Sequence, residues 1–257
     1  MGKVLANRQE GPACFRLVIE APDVVRDARP GQFVNVRTAD SFMPLLRRPF
    51  SFCDIDKAGG RFSILYQVVG PGTSRLAEYS RGADLSIVGP LGNGFDVSQA
   101  TSRSILCAGG IGIAPFPALA RDLVAAVGAG KIHAVIGART AALCLCQEDL
   151  RSLGIPVSLA TEDGSAGTQG FVTGPLRELL DAGDANETTV YACGPQPMLA
   201  AVNGICLEYG CSGQLSVEAV MGCGVGACLS CVFRTPDGRY IRSCAEGPVF
   251  RSGEVIF

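Results

Sequence analysis

The stretch Met221–Cys231, MGCGVGACLSC, decides the organisation of this chain. Its cysteines Cys223, Cys228 and Cys231 follow the C-x4-C-x2-C spacing of plant-type [2Fe-2S] ligation, and Cys244 lies thirteen residues beyond the third. Four thiolates complete the ligand set of such a cluster. The glycines of the stretch let the loop bend tightly and leave backbone N–H groups free to reach the cluster sulfides. The sequence therefore predicts that these four cysteines ligate a [2Fe-2S] cluster.

Other roles for these cysteines stay open at this point. Structural zinc usually takes its cysteines as two short pairs, and a 4-then-2 triplet is unusual for it. Buried cysteines also pack as small apolar residues, but four of them within 22 residues of a glycine-rich loop fit that role poorly. If one of the four is not a ligand, Cys211 is the obvious substitute.

Composition limits the class of protein. The chain has 257 residues, 47% of them hydrophobic, which is enough for two domains and a small module. A net charge of -2 and a pI near 5.5 give no electrostatic footprint for nucleic acid or an anionic membrane. The longest charge-free run, Thr188–Leu207, contains Pro195 and Pro197, so we expect no transmembrane helix. No secretory signal is evident at the N-terminus, and unpaired cysteines suit a reducing compartment, so we expect a cytoplasmic protein.

The first part of the chain predicts an antiparallel β-barrel. Up to about Asp96, short apolar runs follow one another closely, with glycine and proline between them. The predicted strands are Cys14–Ile19, Phe33–Val36, Ser51–Asp54, Arg61–Val69 and Leu85–Val88. We assign residues 1–98 to this barrel.

Two segments of the predicted barrel carry groups that bind phosphate. In Arg47–Ser51, RRPFS, an arginine and a hydroxyl stand three residues apart on an extended segment and can both face a pyrophosphate. An exposed edge strand is the alternative for this segment taken alone. The strand Ile64–Val69 leads into a glycine turn, and Thr73 begins a predicted helix through Glu78 whose N-terminus can accept an anion.

From Ser102 the pattern changes to alternating strands and helices. The strand Arg103–Ala108 runs into the glycine turn Gly109–Pro115 and a helix through Ala126, which is typical of dinucleotide binding although the full G-x-G-x-x-G is missing. Further predicted elements are the strands Ile132–Ile136, Val157–Thr161 and Thr189–Ala192 and the helices Glu148–Leu153 and Pro175–Ala182. The alternation predicts a doubly wound parallel sheet in residues 99–210. Residues 211–257 form the cluster module, with strands Cys231–Arg234, Tyr240–Ser243 and Val249–Phe250.

The last strand of the predicted sheet ends in Cys193-Gly194-Pro195. Open α/β sheets bind ligands at the carboxyl ends of their strands, so these residues are candidates for the nicotinamide end of a nucleotide site. A small residue that caps a strand is the alternative for Cys193. The chain's single histidine, His133, falls in a predicted strand, where we expect a packed sheet residue rather than a catalyst.

Together these segments resemble the ferredoxin reductase superfamily, whose members join a flavin-binding barrel to a pyridine-nucleotide domain. Arg48-Pro49-Phe50-Ser51 resembles the flavin motif of arginine, two residues and then serine or threonine. Phe50 stands where many members have tyrosine, so a hydrogen bond from that hydroxyl is missing. Gly109–Pro115 resembles the pyrophosphate loop, and Cys193–Met198 resembles the Cys-Gly-Pro motif beside the nicotinamide.

The cluster segments narrow this resemblance, which covers the whole chain. With Thr161–Ser165, the cysteine triplet and Cys244–Phe250, the chain resembles the electron-transfer subunits of bacterial dihydroorotate dehydrogenases. Those subunits carry FAD and a [2Fe-2S] cluster and work with a separate FMN-bearing catalytic subunit, in a heterotetramer of two of each. The resemblance implies FAD-binding residues Arg48, Pro49, Phe50, Ser51, Leu65, Tyr66, Gln67, Gly72 and Thr73, and nucleotide-binding residues Gly109, Gly110, Gly112, Cys193, Gly194 and Pro195.

The implied cofactors set an order of electron transfer. Nicotinamide exchanges a hydride whereas the cluster passes single electrons, so a flavin must stand between them. The resemblance implies flow from dihydroorotate through the partner's FMN, the cluster and FAD to NAD+, in pyrimidine biosynthesis, with no catalytic acid or base in this chain. One alternative is a related reductase subunit serving a glutamate synthase-like or sulfite-reducing partner. The other is a zinc-stabilised nucleotide-binding module without redox turnover.

The segment after the second strand of the nucleotide domain bears on the choice of nucleotide. A 2′-phosphate normally needs a basic pair or cluster, whereas Gly137–Thr140 offers one arginine, Arg139, followed by apolar residues. We therefore expect NAD to be preferred over NADP.

Overall fold

The computed structural model describes residues 1–39 and 43–257 of the chain. The strands are β1 (Gly2–Gly11), β2 (Cys14–Glu20), β3 (Phe33–Arg37), β4 (Arg48–Asp56), β5 (Arg61–Gln67), β6 (Asp84–Leu91), β7 (Arg103–Gly109), β8 (Ile132–Ala138), β9 (Val157–Thr161), β10 (Thr168–Gln169), β11 (Thr188–Cys193), β12 (Ser212–Ser216), β13 (Val232–Arg234), β14 (Tyr240–Arg242) and β15 (Val249–Arg251). The helices are α1 (Pro22–Val25), α2 (Pro71–Ala77), α3 (Phe116–Val127), α4 (Gln147–Arg151), α5 (Thr173–Asp181) and α6 (Gln196–Tyr209).

The first six strands close into an antiparallel barrel in the order β1-β2-β5-β4-β3-β6. Side chains alternate between the inside and outside of such a barrel, and its interior is filled by large residues such as Phe52 and Phe62, whose ring centroids lie 5.0 Å apart. The predicted barrel is therefore confirmed. The sequence did not predict β1, because GKVLANRQEG is largely polar and most of its side chains are only partly buried or exposed.

The second domain is a seven-stranded sheet in the order β10-β9-β8-β7-β11-β12-β15. All neighbours are parallel except β15, which runs antiparallel to β12 at the edge. Alternate residues of β7 point to opposite faces of the sheet. Leu106 packs in the hydrophobic core on the face covered by α3, and Ile105 packs in the core on the face covered by α5 and α6. Helices therefore cover both faces, as the doubly wound prediction requires.

Residues beyond 210 contribute to this sheet. β12 follows α6 directly and pairs parallel to β11, and β15 pairs with β12. The segment between them, which contains the small hairpin of β13 and β14, carries the four predicted cluster ligands. Division of the chain at residues 98 and 210 stays a prediction, but the sheet draws two strands from the segment expected to be a separate module.

One segment of the described chain, Gly110–Val127, is long and apolar enough to span a membrane by length and composition. The structure buries 56% of it, and Leu119 and Leu123 of α3 pack against the sheet. The charge-free run Thr188–Leu207 forms β11 and most of α6. Packing in the core of the second domain accounts for the apolar character of both segments.

Candidate functional site

A cavity of about 400 Å³ lies between the barrel and the carboxyl ends of the sheet strands. Seven residues that the sequence associated with flavin line its barrel side: Pro49, Phe50, Ser51, Leu65, Tyr66, Gln67 and Thr73. The opposite side is formed by the glycine turn after β7, by Cys193 and by Ser216–Ala219 at the end of β12. Strands from both domains are therefore needed to enclose this first cavity.

Arg48 and Gly72 lie side by side outside the lining of the first cavity. A Cβ on Gly72 would stand 3.2 Å from Nε of Arg48 and 3.3 Å from Oγ1 of Thr38. The Thr38 hydroxyl is buried and has no hydrogen-bond partner. A guanidinium and an unpaired hydroxyl, both packed closely against a glycine backbone, are groups suited to bind the diphosphate of a flavin dinucleotide.

The sequence predicted that Thr73 begins a helix, but Thr73 lies inside the first turn of α2. The helix α2 begins at Pro71 rather than at Thr73, because proline suits the first turn of a helix. The Thr73 hydroxyl accepts hydrogen bonds from the Val69 and Gly70 N–H groups, at 2.9 and 3.2 Å, and donates to the Gly70 carbonyl. The threonine therefore shapes the turn that carries Gly72, and its hydroxyl is already engaged there.

Two aromatic rings form part of the barrel side of the first cavity. The Phe50 and Tyr66 ring centroids are 5.8 Å apart and the rings are inclined by 60°. The Tyr66 hydroxyl bonds to Asn7 within the barrel at 3.1 Å, and burial raises its pKa to about 12. Phe50 has no hydroxyl, so these two rings offer the cavity flat apolar surface.

A second cavity, of about 510 Å³, opens along the carboxyl ends of β7, β8 and β9. It is lined by Gly109, Gly110 and Pro195 of the predicted nucleotide residues, and also by Gly137–Arg139, Glu162 and Gly170–Thr173. Gly110 has φ +54°, and no atom lies within 4 Å of a Cβ built on it, so a ligand can approach its backbone closely. Gln67 and Ile111 line both cavities, which are therefore adjacent.

The two nucleotide motifs contact each other although about 80 residues separate them. A Cβ on Gly112 would lie 2.4 Å from the Cys193 carbonyl oxygen, and one on Gly109 would lie 2.4 Å from Sδ of Met198. Gly112 lines the first cavity, whereas Gly194 lines neither. Only glycine permits this backbone contact, which closes the wall between the two cavities.

The Cys193 thiol lies in that wall. It is buried, and burial raises its pKa to about 12, with a further contribution from the charge of Glu218. Glu218 also lines the first cavity; its side chain is exposed, but the surrounding protein partly desolvates the carboxyl group and raises its pKa. Sequence reasoning missed Glu218, because SGQLS was not identified as a strand; a strand there would have put Glu218 at a ligand-binding carboxyl end.

The four predicted cluster ligands lie together. Cys223 and Cys228 are in contact with each other, as are Cys231 and Cys244. Cys231 and Cys244 are buried, Cys223 is partly buried and Cys228 is exposed. In the described part of the chain no three His, Cys, Asp or Glu side chains converge on one metal-ion position. Two pairs of thiols suit a cluster in which each of two irons takes two protein ligands.

Backbone N–H groups of the loop point at the sulfurs. The N–H groups of Val225 and Ala227 lie 3.4 Å from Sγ of Cys223, and that of Gly226 lies 3.1 Å from Sγ of Cys244. Gly224 and Gly226 allow this because they adopt φ +72° and +83°. The N–H groups lower the pKa of Cys223, and Ser230 lowers that of Cys228 to about 6. Such donors favour thiolate, the form that binds iron.

Comparison with known proteins identifies the family. Residues 218–256 match the model of the iron-sulfur cluster binding domain of dihydroorotate dehydrogenase B, and residues 106–204 match the oxidoreductase NAD-binding domain. The chain is 40% identical to the electron transfer subunit of dihydroorotate dehydrogenase B (NAD(+)) of Lysinibacillus sphaericus, over 98% of this chain and 96% of that protein. The corresponding subunit of Geobacillus kaustophilus is 39% identical over the same shares. The chain belongs to the family of dihydroorotate dehydrogenase B electron transfer subunits.

Solved structures agree with the fold of this family. The chain superposes on an NADH-dependent reduced ferredoxin-NADP oxidoreductase with a TM-score of 0.87 and 28% identity, covering all of this chain and 90% of the other. The ferredoxin reductase of carbazole 1,9a-dioxygenase gives a TM-score of 0.68 over 82% of this chain and 65% of that one, at 24% identity. The second match supports the ferredoxin reductase-like fold alone.

Two side chains belong both to the lining of the first cavity and to the hydrophobic cluster around two of the cysteines. Phe33 and Met221 line the cavity, and both are members of the small buried cluster that also contains Cys231 and Cys244. Sequence reasoning gave neither residue a role: Met221 only begins the cysteine-containing stretch, and Phe33 lies on a barrel strand about 190 positions before the cysteine triplet. In a family named for electron transfer, this shared wall is the feature that connects the two sites.

Proposed function

We propose that the chain carries electrons between an FMN-bearing dihydroorotate dehydrogenase catalytic subunit and NAD+, through a [2Fe-2S] cluster and FAD, in pyrimidine biosynthesis. The observation that carries the proposal is the wall formed by Phe33 and Met221. Both residues line a cavity with flavin-binding features, and both belong to the hydrophobic cluster that contains the buried cysteines Cys231 and Cys244. We further propose a cytoplasmic complex with two copies of each subunit.

The chain's own residues would hold each group in turn. When bound, the flavin supplies the exchange between hydride and single electrons, and the cluster supplies single-electron transfer. Arg48, Gly72 and the Thr38 hydroxyl would hold the flavin diphosphate. Phe50 and Tyr66 would flank the flavin in the first cavity. The open backbone at Gly110 would receive the nucleotide diphosphate in the second cavity.

Acid–base chemistry on dihydroorotate is proposed to belong to the partner. Burial and the nearby Arg103 lower the pKa of His133, and its Nε2 lies 2.8 Å from the Ser158 hydroxyl on the neighbouring strand. Cys193 is a neutral thiol at physiological pH. Both groups are therefore poorly suited to abstract a proton from a carbon acid.

The exposed part of the cluster loop is the proposed docking surface for the catalytic subunit. Val225 and Leu229 have 57% and 61% of their surface exposed, and the exposed ligand Cys228 lies between them in sequence. Leu229 also adopts φ +60°, which is unfavourable for leucine. An exposed leucine in this backbone conformation, next to the exposed predicted ligand Cys228, supports electron entry at this surface.

A second candidate function is a related reductase subunit that serves a different partner. The favouring observation is the match over the full chain to an NADH-dependent reduced ferredoxin-NADP oxidoreductase. Both candidates share FAD, the cluster and the nucleotide site, and they differ in the partner that docks at the cluster.

Reconstitution separates the two candidates. The purified chain should contain one FAD, two irons and two sulfides, and it should reduce a dye with NADH but not oxidise dihydroorotate. Mixed with the FMN-bearing subunit from the same organism, it should reduce NAD+ with dihydroorotate. Failure of that mixture, with the flavin and iron contents intact, would favour the second candidate, whereas a colourless chain would contradict both.

A further inference from the structure

Two asparagines of the barrel hold the segments that carry the cluster cysteines. Nδ2 of Asn35, on β3, donates to the Cys223 carbonyl at 3.2 Å. Nδ2 of Asn93, after β6, donates to the Ala245 and Glu246 carbonyls at 3.1 and 2.9 Å. The barrel therefore binds the carbonyl of the first cysteine, Cys223, and the carbonyls of the two residues that follow the last cysteine, Cys244.

Asn35 is enclosed at this contact. Only 1% of its surface is exposed, and its Oδ1 is buried without a hydrogen-bond partner. A Cβ on Gly224 would lie 2.5 Å from Nδ2 of Asn35, so the cluster loop is packed directly against the amide. A buried polar atom without a partner is destabilising, and a leucine of similar size would avoid that cost. What the asparagine adds at this position is the directional bond to the loop.

The same strand also forms the wall of the first cavity. Phe33 and Asn35 are two residues apart on β3, so their side chains lie on one face of the strand. Phe33 lines the cavity and belongs to the hydrophobic cluster that contains Cys231 and Cys244, while Nδ2 of Asn35 donates to the Cys223 carbonyl. One face of β3 therefore connects the cavity, the cluster of the two buried cysteines and the loop that carries Cys223.

We propose that Asn35 is a positioning residue for electron transfer between the cluster and the flavin. Its hydrogen bond fixes the cluster loop on the strand that borders the flavin cavity, and so fixes the gap that an electron crosses. Two single-electron transfers and one proton from solvent balance the hydride that NAD+ takes up. This inference rests on the proposed function, because it requires FAD in the first cavity and the cluster on the four cysteines.

The test uses the full chain with both cofactors, without oxygen, and the variant Asn35→Leu. After mixing with NADH, flavin bleaching and cluster reduction are followed separately, the latter by electron paramagnetic resonance. Flavin bleaching should keep its rate, whereas cluster reduction should slow by about tenfold, since small displacements cost large factors in rate. The resonance of the reduced cluster should also shift, which a loss of overall stability would not produce.

Asn93→Ala is the matched control. It removes an amide that binds the other cluster segment, but Asn93 is exposed, so water can replace its bonds. The rate of cluster reduction in that variant should stay within about twofold of wild type. If Asn35→Leu loses iron, Asn35→Ser is measured in the same way, because its shorter side chain cannot span to the Cys223 carbonyl.

The outcomes separate the two proposals. Unchanged cluster reduction and resonance in an iron-loaded Asn35 variant would overturn the role of Asn35 and leave the proposed function intact. A wild-type chain in which NADH bleaches the flavin but never reduces the cluster would overturn the proposed function, and the positioning role with it. Slower cluster reduction with unchanged flavin bleaching supports both.

Discussion

At the scale of single residues, the choice of the four cluster ligands has a direct test. Cys211, the substitute considered from the sequence, directly precedes β12, at the amino ends of the parallel strands and so at the end of the sheet opposite the cavities, and its thiol contacts that of Cys206. Cys228→Ser should therefore lose the cluster while FAD remains, because Cys228 lies outside the lining of the first cavity and the residues expected to bind the flavin are on the barrel. Iron, sulfide and flavin contents give the measurement. Cys211→Ser should keep its iron, and full iron in Cys228→Ser would show that a ligand was misassigned.

A second prediction at this scale concerns the choice between NADH and NADPH, and it depends on Glu162. Glu162 lines the second cavity after β9, close to Arg139 after β8; the neighbouring Asp163 N–H donates to the Arg139 carbonyl at 3.2 Å. A carboxylate accepts hydrogen bonds from ribose hydroxyls and repels a 2′-phosphate. The wild type should prefer NADH in dye reduction, and Glu162→Gln should raise kcat/KM for NADPH by about tenfold, or ~1.4 kcal/mol. A wild type that uses NADPH equally well would defeat this assignment.

The sequence allowed us to predict sites whose residues recur at a fixed spacing. It did not allow us to predict contacts between residues that are distant in the chain. The four cysteines were found because iron–sulfur chemistry demands a short, regular pattern. Asn35 was not found, because its contact with Cys223 spans 188 positions and nothing in the sequence around it marks it. Thr38 and Glu218 were missed for the same reason: each becomes a candidate binding residue only because folding places it next to residues that are distant in the sequence.

At the scale of elements, the ion pair between β2 and α4 joins the barrel to the nucleotide domain. The Arg16 guanidinium donates to both carboxylate oxygens of Asp149, at 2.9 and 2.7 Å, and also to Sγ of Cys146 at 3.4 Å. Burial alone would raise the pKa of Asp149, but the bonds from Arg16 outweigh it and hold the pKa below its ordinary value. The ionised carboxylate therefore stabilises the folded state above pH 4 or so, and the stabilisation is lost as pH falls through the lowered pKa.

Asp149→Asn should accordingly cost about 1–3 kcal/mol of stability at pH 7, and the difference from wild type should shrink towards pH 3. Denaturant unfolding at the two pH values measures it. Glu208→Gln breaks an exposed pair with Arg177 of similar geometry and serves as the control, with little change expected. A difference that stayed constant from pH 7 to pH 3 would rule out ionisation of Asp149 as its source.

Elements with strong periodic patterns were predicted, and the missed ones have identifiable reasons. The strand β12 is short and polar in sequence, yet four of its five residues are buried between β11 and β15. The helix α6 was missed because Pro195 and Pro197 stand at its start and its apolar residues are spread around it. Proline is compatible with the first turn of a helix, so these residues mark its beginning.

At the scale of the whole molecule, the cluster stands between two surfaces of different character. Of the predicted ligands, Cys231 and Cys244 are buried in one hydrophobic cluster with Phe33 and Met221, which line the first cavity, whereas Cys228 is exposed. Under the proposed function, an electron that arrives from a partner would enter on the side of Cys228 and leave on the side of Cys231 and Cys244. The overall architecture followed from sequence patterns, but this orientation depends on how the cluster segment lies on the barrel, which no pattern within the segment encodes.

The orientation predicts which surface variant disrupts assembly. Leu229→Glu puts a charge at an exposed apolar position of the cluster loop, which should weaken binding of an FMN-bearing catalytic subunit at least tenfold, or ~1.4 kcal/mol. Dihydroorotate-dependent reduction of NAD+ should fall with it, while reduction of a dye by NADH through the flavin survives. Binding to the immobilised partner and both activities give the measurement.

Leu207→Glu is the control for that experiment, because Leu207 is a leucine of nearly equal exposure, 59% against 61%, that lies on α6 away from the cluster. The two variants add the same charge to the same kind of side chain, so net charge and solubility change equally. Only the variant at residue 229 should lose assembly if the partner docks over the exposed ligand Cys228. Equal loss in both variants would make the effect a general one of charge, and unchanged affinity in Leu229→Glu would move the docking surface to another part of the molecule.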